Sequence, residues 1–180
     1  MTTLAECFDQ FTATARKLET RRAYLEPSEA ARLEAFRQHQ PRPERSVRTS
    51  PWLARVAATT LAGKSWERIK VVGRPLSEYQ RYSLLGLVES QAAGEQVRIA
   101  DNSRAPALLA LRDLWLFDAG TDHARLALMR FREDGTSAGA EITTDPAKIA
   151  EAVAAWELAA RHSVPLANYL ADREREAEAA

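Results

Sequence analysis

The chain has one cysteine, seven glycines and three histidines in 180 residues, and its 25 basic side chains are balanced by 25 acidic ones. Cys7 has no partner for an internal disulfide. With Phe8 and Phe11 beside it, it reads as a small buried hydrophobe in a reducing compartment. His39, His123 and His162 are scattered, with no His, Cys or carboxylate at a ligand spacing, so no metal and no other cofactor is expected. The glycines are not clustered, which excludes a phosphate-cradling loop. Zero net charge removes the global field that draws a protein to nucleic acid or anionic lipid. No window approaches the about 20 apolar residues of a membrane span, and Met1 to Glu6 shows no basic segment leading into an apolar run. A cytoplasmic, soluble chain is the expectation. A chain of this size buries a core without staples, and 1–180 reads as a single domain.

Local signals divide that domain into three parts. In 1–63, Thr3 and Glu6 form a capping box, and Leu4, Phe8, Phe11, Ala15 and Leu18 recur at helical spacing, which predicts a first helix from Thr3 to Thr20. Glu26-Pro27 and Ser50-Pro51 place a capping type before a proline suited to the first helical turn, giving two more helices. Between them His39 to Thr49, with two prolines and three arginines, reads as an exposed loop. The apolar stripes of these helices fit either a homodimer seam or the cover of a sheet.

In 64–145 the alternation of Trp66 to Val72 predicts a strand with one buried face. Ser77 with Gln80 caps a helix ending near Gly94, and Gln96 to Ala100 is a second strand, so this is a β-α-β unit with parallel strands. Leu114 to Asp118, Ala124 to Phe131 and Ala138 to Thr143 form a meander whose second turn is Asp134-Gly135. In 146–180 a helix opens at Asp145-Pro146, breaks at Pro165 and gives way to a last helix with a charged, frayed end. The predicted class is α+β: N-terminal helices, a mixed five-stranded sheet with one crossover and a β-meander, and C-terminal helices packed on the sheet.

No nucleophile-elbow pattern is present. His123-Ala124-Arg125 has the spacing of a phospholipase D-like His-x-Lys nucleophile, but it departs in the basic residue and lacks the Asp that should follow; it reads as a solvated turn. The polar constellation of interest is Arg68, Tyr79, Arg81, Glu95 and Asp118, since strand ends beside a crossover helix gather ligand groups. Guanidinium forks suit a carboxylate or phosphate, and Tyr79 adds a hydroxyl or a stacking face. The same arginines can instead pair with Glu95, Glu78 or Asp118 and simply hold strand to helix. A second cluster, Arg16, Lys17, Glu19, Arg21, Arg22 and Tyr24, reads as the dipole-matched end of the first helix. Arg37, Arg42, Arg45, Arg48 and Arg55 form a local basic footprint, but neutral net charge and the lack of a recognition motif argue against direct nucleic-acid binding.

Leu18-Glu19-Thr20-Arg21-Arg22-x-Tyr24, Arg68-Ile69-Lys70-Val71-Val72, Pro75-Leu76-Ser77-x-Tyr79-x-Arg81, Leu114-Trp115-Leu116-Phe117-Asp118 and Pro165-Leu166-x-x-Tyr169-Leu170 follow one another over nearly the whole chain. In these motifs the chain resembles a family of small actinobacterial proteins classed as a domain of unknown function, commonly encoded beside Xre-type helix-turn-helix regulators. The resemblance implies a regulatory partner but no activity; it also implies an acidic residue at position 74, where this chain has Arg74. Two readings stand. One is a regulatory or ligand-sensing accessory protein whose seam takes a small anionic ligand or a partner's side chain. The other is a small enzyme of specialised metabolism using Tyr79, Glu95 or Asp118 as acid or base.

Overall fold

The computed structural model describes residues 2–179. Its elements are α1 (Leu4–Gln10), β1 (Thr14–Glu19), α2 (Ala30–Arg37), α3 (Pro51–Leu61), β2 (Ser65–Val72), α4 (Glu78–Ala92), β3 (Gln96–Asp101), β4 (Leu114–Phe117), β5 (Arg125–Phe131), β6 (Ser137–Thr143), α5 (Pro146–Arg161), β7 (Ser163–Pro165) and α6 (Leu166–Glu178). The class is α+β, but the sheet has seven strands rather than five, in the order β6-β5-β4-β1-β2-β3-β7.

The two extra strands have separate causes. The expected first helix ends at Gln10, and Thr14–Glu19 is the central strand, parallel to β2 and antiparallel to β4. The Asp118 carboxylate stops the helix: Oδ1 accepts from the Ala13 and Thr14 amides at 2.7 and 2.9 Å, and Oδ2 from the Thr12 amide at 2.7 Å. Three successive amides converge on one carboxylate only where the chain bends, as it does at Thr12 and Ala13, so the helix cannot run on and β1 starts after the bend. Ala15 and Leu18, which helical spacing would put on one stripe, lie in separate apolar clusters on opposite faces of the sheet. The other addition, β7, is three residues paired antiparallel with β3; its Pro165 is tolerated because β7 is an edge.

Parallel strands β1, β2 and β3 are therefore joined by two crossovers, the first through α2 and α3 and the second through α4. Ser50 caps α3, and the Ser77–Gln80 box caps α4. On one face α1 and α3 bury Phe11, Leu53 and Val56 against Trp66, Trp115 and Phe117, so these helices cover the sheet. On the other face α5 packs Ala152, Trp156 and Ala159 onto Leu18, Ile69 and Leu116. Joining edge strands β6 and β7, α5 crosses the whole sheet: 16 residues give about 24 Å of helix against about 29 Å for six strand spacings. α6 sits beside α4, sharing a cluster of Val72, Leu84, Ile99, Leu166 and Tyr169. Arg74 ties its far end down, reaching Asp101 and Glu176 at 2.7 Å each, so the charged tail stays helical to Glu178. No helix among the described residues is long and apolar enough to cross a membrane.

Candidate functional site

The face under α1, α3 and α4 changes character along its strands. At the start of β1 and β2 it is aromatic. Toward their C-terminal ends it carries Lys17, Glu19, Arg68 and Lys70, because residues two apart on a strand share a face and the register aligns Lys17 with Arg68 and Glu19 with Lys70. Glu19 is the hub. Its carboxylate meets Lys17 Nζ at 2.6 Å, Arg68 Nη1 at 2.7 Å and Lys70 Nζ at 3.1 Å, while Arg68 Nε donates to Glu95 Oε1 at 2.8 Å. Burial pushes the Glu19 carboxyl up, but the three cations outweigh it and hold the group well below the usual carboxylate range. Burial lowers the Arg68 guanidinium, and Glu95 and Glu19 more than restore it.

Above this floor opens a cavity of about 150 Å³, the space that a benzene-sized guest occupies. Its walls come from the loop after β1 (Tyr24), the turn before α2 (Glu26, Glu29), α2 itself (Arg32), α4 (Tyr79, Tyr82) and the end of β5 (Phe131). Tyr24 is fixed from two sides. Its hydroxyl donates to Asp113 at 2.5 Å, and the following Leu25 amide donates to the Gly135 carbonyl at 3.0 Å. Gly135 has φ +89° and lies so close to this loop that a Cβ would stand 3.2 Å from the Leu25 nitrogen. Tyr79 donates to Glu29 at 2.7 Å. The Lys70 ammonium, 1% exposed, sits 5.1 Å from the Tyr24 ring centre and 5.6 Å from that of Tyr79, so the protein's own cation fills this aromatic cage. Burial raises both phenols, helped at Tyr24 by Glu19 and Asp113 and at Tyr79 by Glu29 and Glu19.

Of the five residues expected at the seam, three meet: Arg68 and Tyr79 line the cavity, and Glu95 holds Arg68 from behind. Arg81 points away. It is two residues from Tyr79 on α4, which places it on another side of the helix, and it donates to its own Leu76 carbonyl at 3.0 Å. Asp118 lies at the opposite end of the sheet. β4 runs antiparallel to β1, so Asp113 before β4 is near the cavity, and Asp118 after it is about 16 Å further along. Burial raises the Asp118 carboxyl, but the Ala13, Thr14 and Thr12 amides bring it below its ordinary value.

The second cluster is not a helix end. Lys17, Glu19 and Tyr24 turn into the site, whereas Arg21 lies over the Phe131 ring and Arg22 bonds the Pro75 carbonyl. The basic footprint is also divided. Arg37 pairs with Glu78, Arg48 with Glu44 and Arg55 with Asp9, and only Arg42 and Arg45 turn inward, both onto Glu89.

A family model described as a domain of unknown function, DUF6879, matches residues 2–171. The chain belongs to the DUF6879 family. No curated protein and no solved structure matches it. In this DUF6879 chain the family model spans every residue of the cavity, from Lys17 to Phe131. Among the described residues, no group of three His, Cys, Asp or Glu side chains could hold a metal ion.

Proposed function

We propose that this DUF6879 protein is a ligand-sensing accessory protein that acts with a helix-turn-helix regulator and takes a small anionic molecule into the cavity at the C-terminal ends of β1 and β2. The observation that carries this reading is a preassembled polar floor. Glu19, Arg68, Lys70 and Glu95 are all buried, and a buried ion-pair network of this kind is less stabilising than well-packed apolar side chains of the same volume. Its position also favours a ligand: the cavity lies beside β1, where the crossovers run to one side and the antiparallel strands begin on the other. The helix-turn-helix partner and an actinobacterial source rest on the likeness of the motifs alone.

The acid–base alternative draws less support. Glu95 is tied to Arg68, Asp118 is at the far end of the sheet, and the raised Tyr79 phenol stays protonated near neutrality, where it donates but does not abstract.

Gly86 gives a clean test. It lines the cavity from α4, and a Cβ there would meet no atom within 4 Å. Gly86→Leu should fill the cavity while improving helix propensity by up to about 1 kcal/mol. Native mass spectrometry of the host-derived protein should show a bound small molecule that this variant loses, and co-expression with the adjacent regulator should show DNA retention changing with that molecule. Retention of the same molecule by the Gly86→Leu protein would remove the cavity from consideration.

A further inference from the structure

The cations at the cavity are not equally occupied. Arg68 is paired with two carboxylates, Glu95 through Nε and Glu19 through Nη1, Lys17 is held by Glu19, and Lys70 is enclosed by Glu19 and two tyrosine rings. The opposite wall differs. There one carboxylate, Glu89, is shared by three guanidiniums, Arg32 at 2.5 Å, Arg45 at 3.3 Å and Arg42 at 3.6 Å, while the wall carboxylates Glu26 and Glu29 form no ion pair with any of the three. Donors are left over as well. Arg32, whose side chain is 9% exposed, has no partner for Nε; its other nitrogens go to Glu89 and the Pro43 carbonyl. Arg45 makes all its contacts, to Glu89, Ser90 Oγ and the Gly86 carbonyl, through Nη1, so Nε and Nη2 have no partner among the described residues. Both side chains line the cavity and are carried by α2 and by the 39–49 loop folded onto α4.

We propose that the Arg32–Arg45 wall is an oxyanion subsite, and that the cavity's ligand is a small molecule presenting a carboxylate or phosphate there, with its body against the Tyr79 and Tyr82 rings. The inference rests on the ligand-binding reading above. A planar fork with unspent N–H groups is the arrangement that binds either oxyanion in two-point fashion. A cationic ligand is disfavoured because Lys70 already occupies the aromatic cage. The size of the cavity limits the guest to about the bulk of benzene, below the about 300 Å³ where pockets for larger ligands begin.

Isothermal titration of the full chain with sodium phosphate and, separately, sodium acetate, at fixed ionic strength against sodium chloride, tests this. Arg45→Gln is the decisive variant, because Arg32→Gln also loses the Pro43 contact and is used only if its circular dichroism is unchanged. Arg161→Gln, exposed and distant, controls for net charge. The expected result is saturable binding of one anion, weakened at least tenfold by Arg45→Gln and unchanged by Arg161→Gln; which salt binds distinguishes phosphate from carboxylate. Equal weakening by the two variants, or no binding of either salt, would overturn the subsite. Binding abolished by Gly86→Leu but untouched by Arg45→Gln would overturn it too, while leaving the cavity reading intact. Binding indifferent to both substitutions would overturn both.

Discussion

Replacing Glu19 by glutamine tests whether the cavity floor is one electrostatic unit. The wild-type carboxylate is buried and satisfies Lys17, Arg68 and Lys70 together. Glutamine keeps the shape but leaves three cations with only Glu95 in direct ion-pair contact. Removing one partner from a buried ion pair costs about 3–5 kcal/mol, which for a chain of this length lowers Tm by about 6–20 °C. Lys70→Met should cost much less, under about 2 kcal/mol, because Glu19 keeps two cations and a thioether packs well on the Tyr24 and Tyr79 rings. Combining the two should recover at least about 1 kcal/mol relative to additivity. Urea titrations of the four proteins, with m unchanged, give these numbers directly. The pH response has a definite sign. Because the folded-state pKa of Glu19 is depressed, its stabilisation is fully present above the unfolded glutamate value of about 4.3 and is lost as pH falls through the lower folded value, so the acid limb should be shallower in Glu19→Gln. A loss under about 1 kcal/mol, or additive behaviour with Lys70→Met, would refute the account of the floor as a coupled network.

Asp118→Ala should cost about 2 kcal/mol, since three amides lose a charged acceptor, while Asp118→Asn should fall between, keeping one acceptor and tolerance of the +48° φ; thermal melts rank them. The depressed Asp118 pKa adds stability above about 3.9 that disappears on acidification, and both variants should lack that part of the acid transition. Tyr24→Phe strands a buried Asp113 oxygen and should cost about 1–3 kcal/mol in a denaturant titration, with ligand uptake reduced because the 20–25 loop loosens. Arg74→Ala should leave the melting midpoint within about 1 kcal/mol-equivalent of wild type yet speed tryptic cleavage at Arg173 and Arg175, as Glu176 loses its anchor; unchanged cleavage would show that α6 needs no such tie.

The sequence was readable where local chemistry decides the outcome. The Ser77–Gln80 box, the Asp145 cap and the Asp134-Gly135 turn each satisfy backbone groups within a few residues, and each lies where the pattern put it. β1 was not readable because Leu4, Phe8, Phe11, Ala15 and Leu18 fit helical spacing and no Gly or Pro interrupts them. What bends the chain there and ends the helix is Asp118, and nothing near Thr12 announces it. The site followed the same division. Arg68 and Glu95 belong to the recognisable β-α-β unit, whereas Lys17 and Glu19 sat in a segment read as helix. Arg32 and Arg45 were obscured differently: sequence shows where an arginine is, not which carboxylate has already taken its charge.

The central place of β1 also shapes how the molecule comes into being. Its start is held by an acid 106 positions downstream, so at about 5–20 residues per second of synthesis the strand waits about 5–20 s for that acid to be made. Throughout that interval the segment offers unpaired amides on at least one side, a period in which a chaperone or another nascent chain competes with the native neighbour.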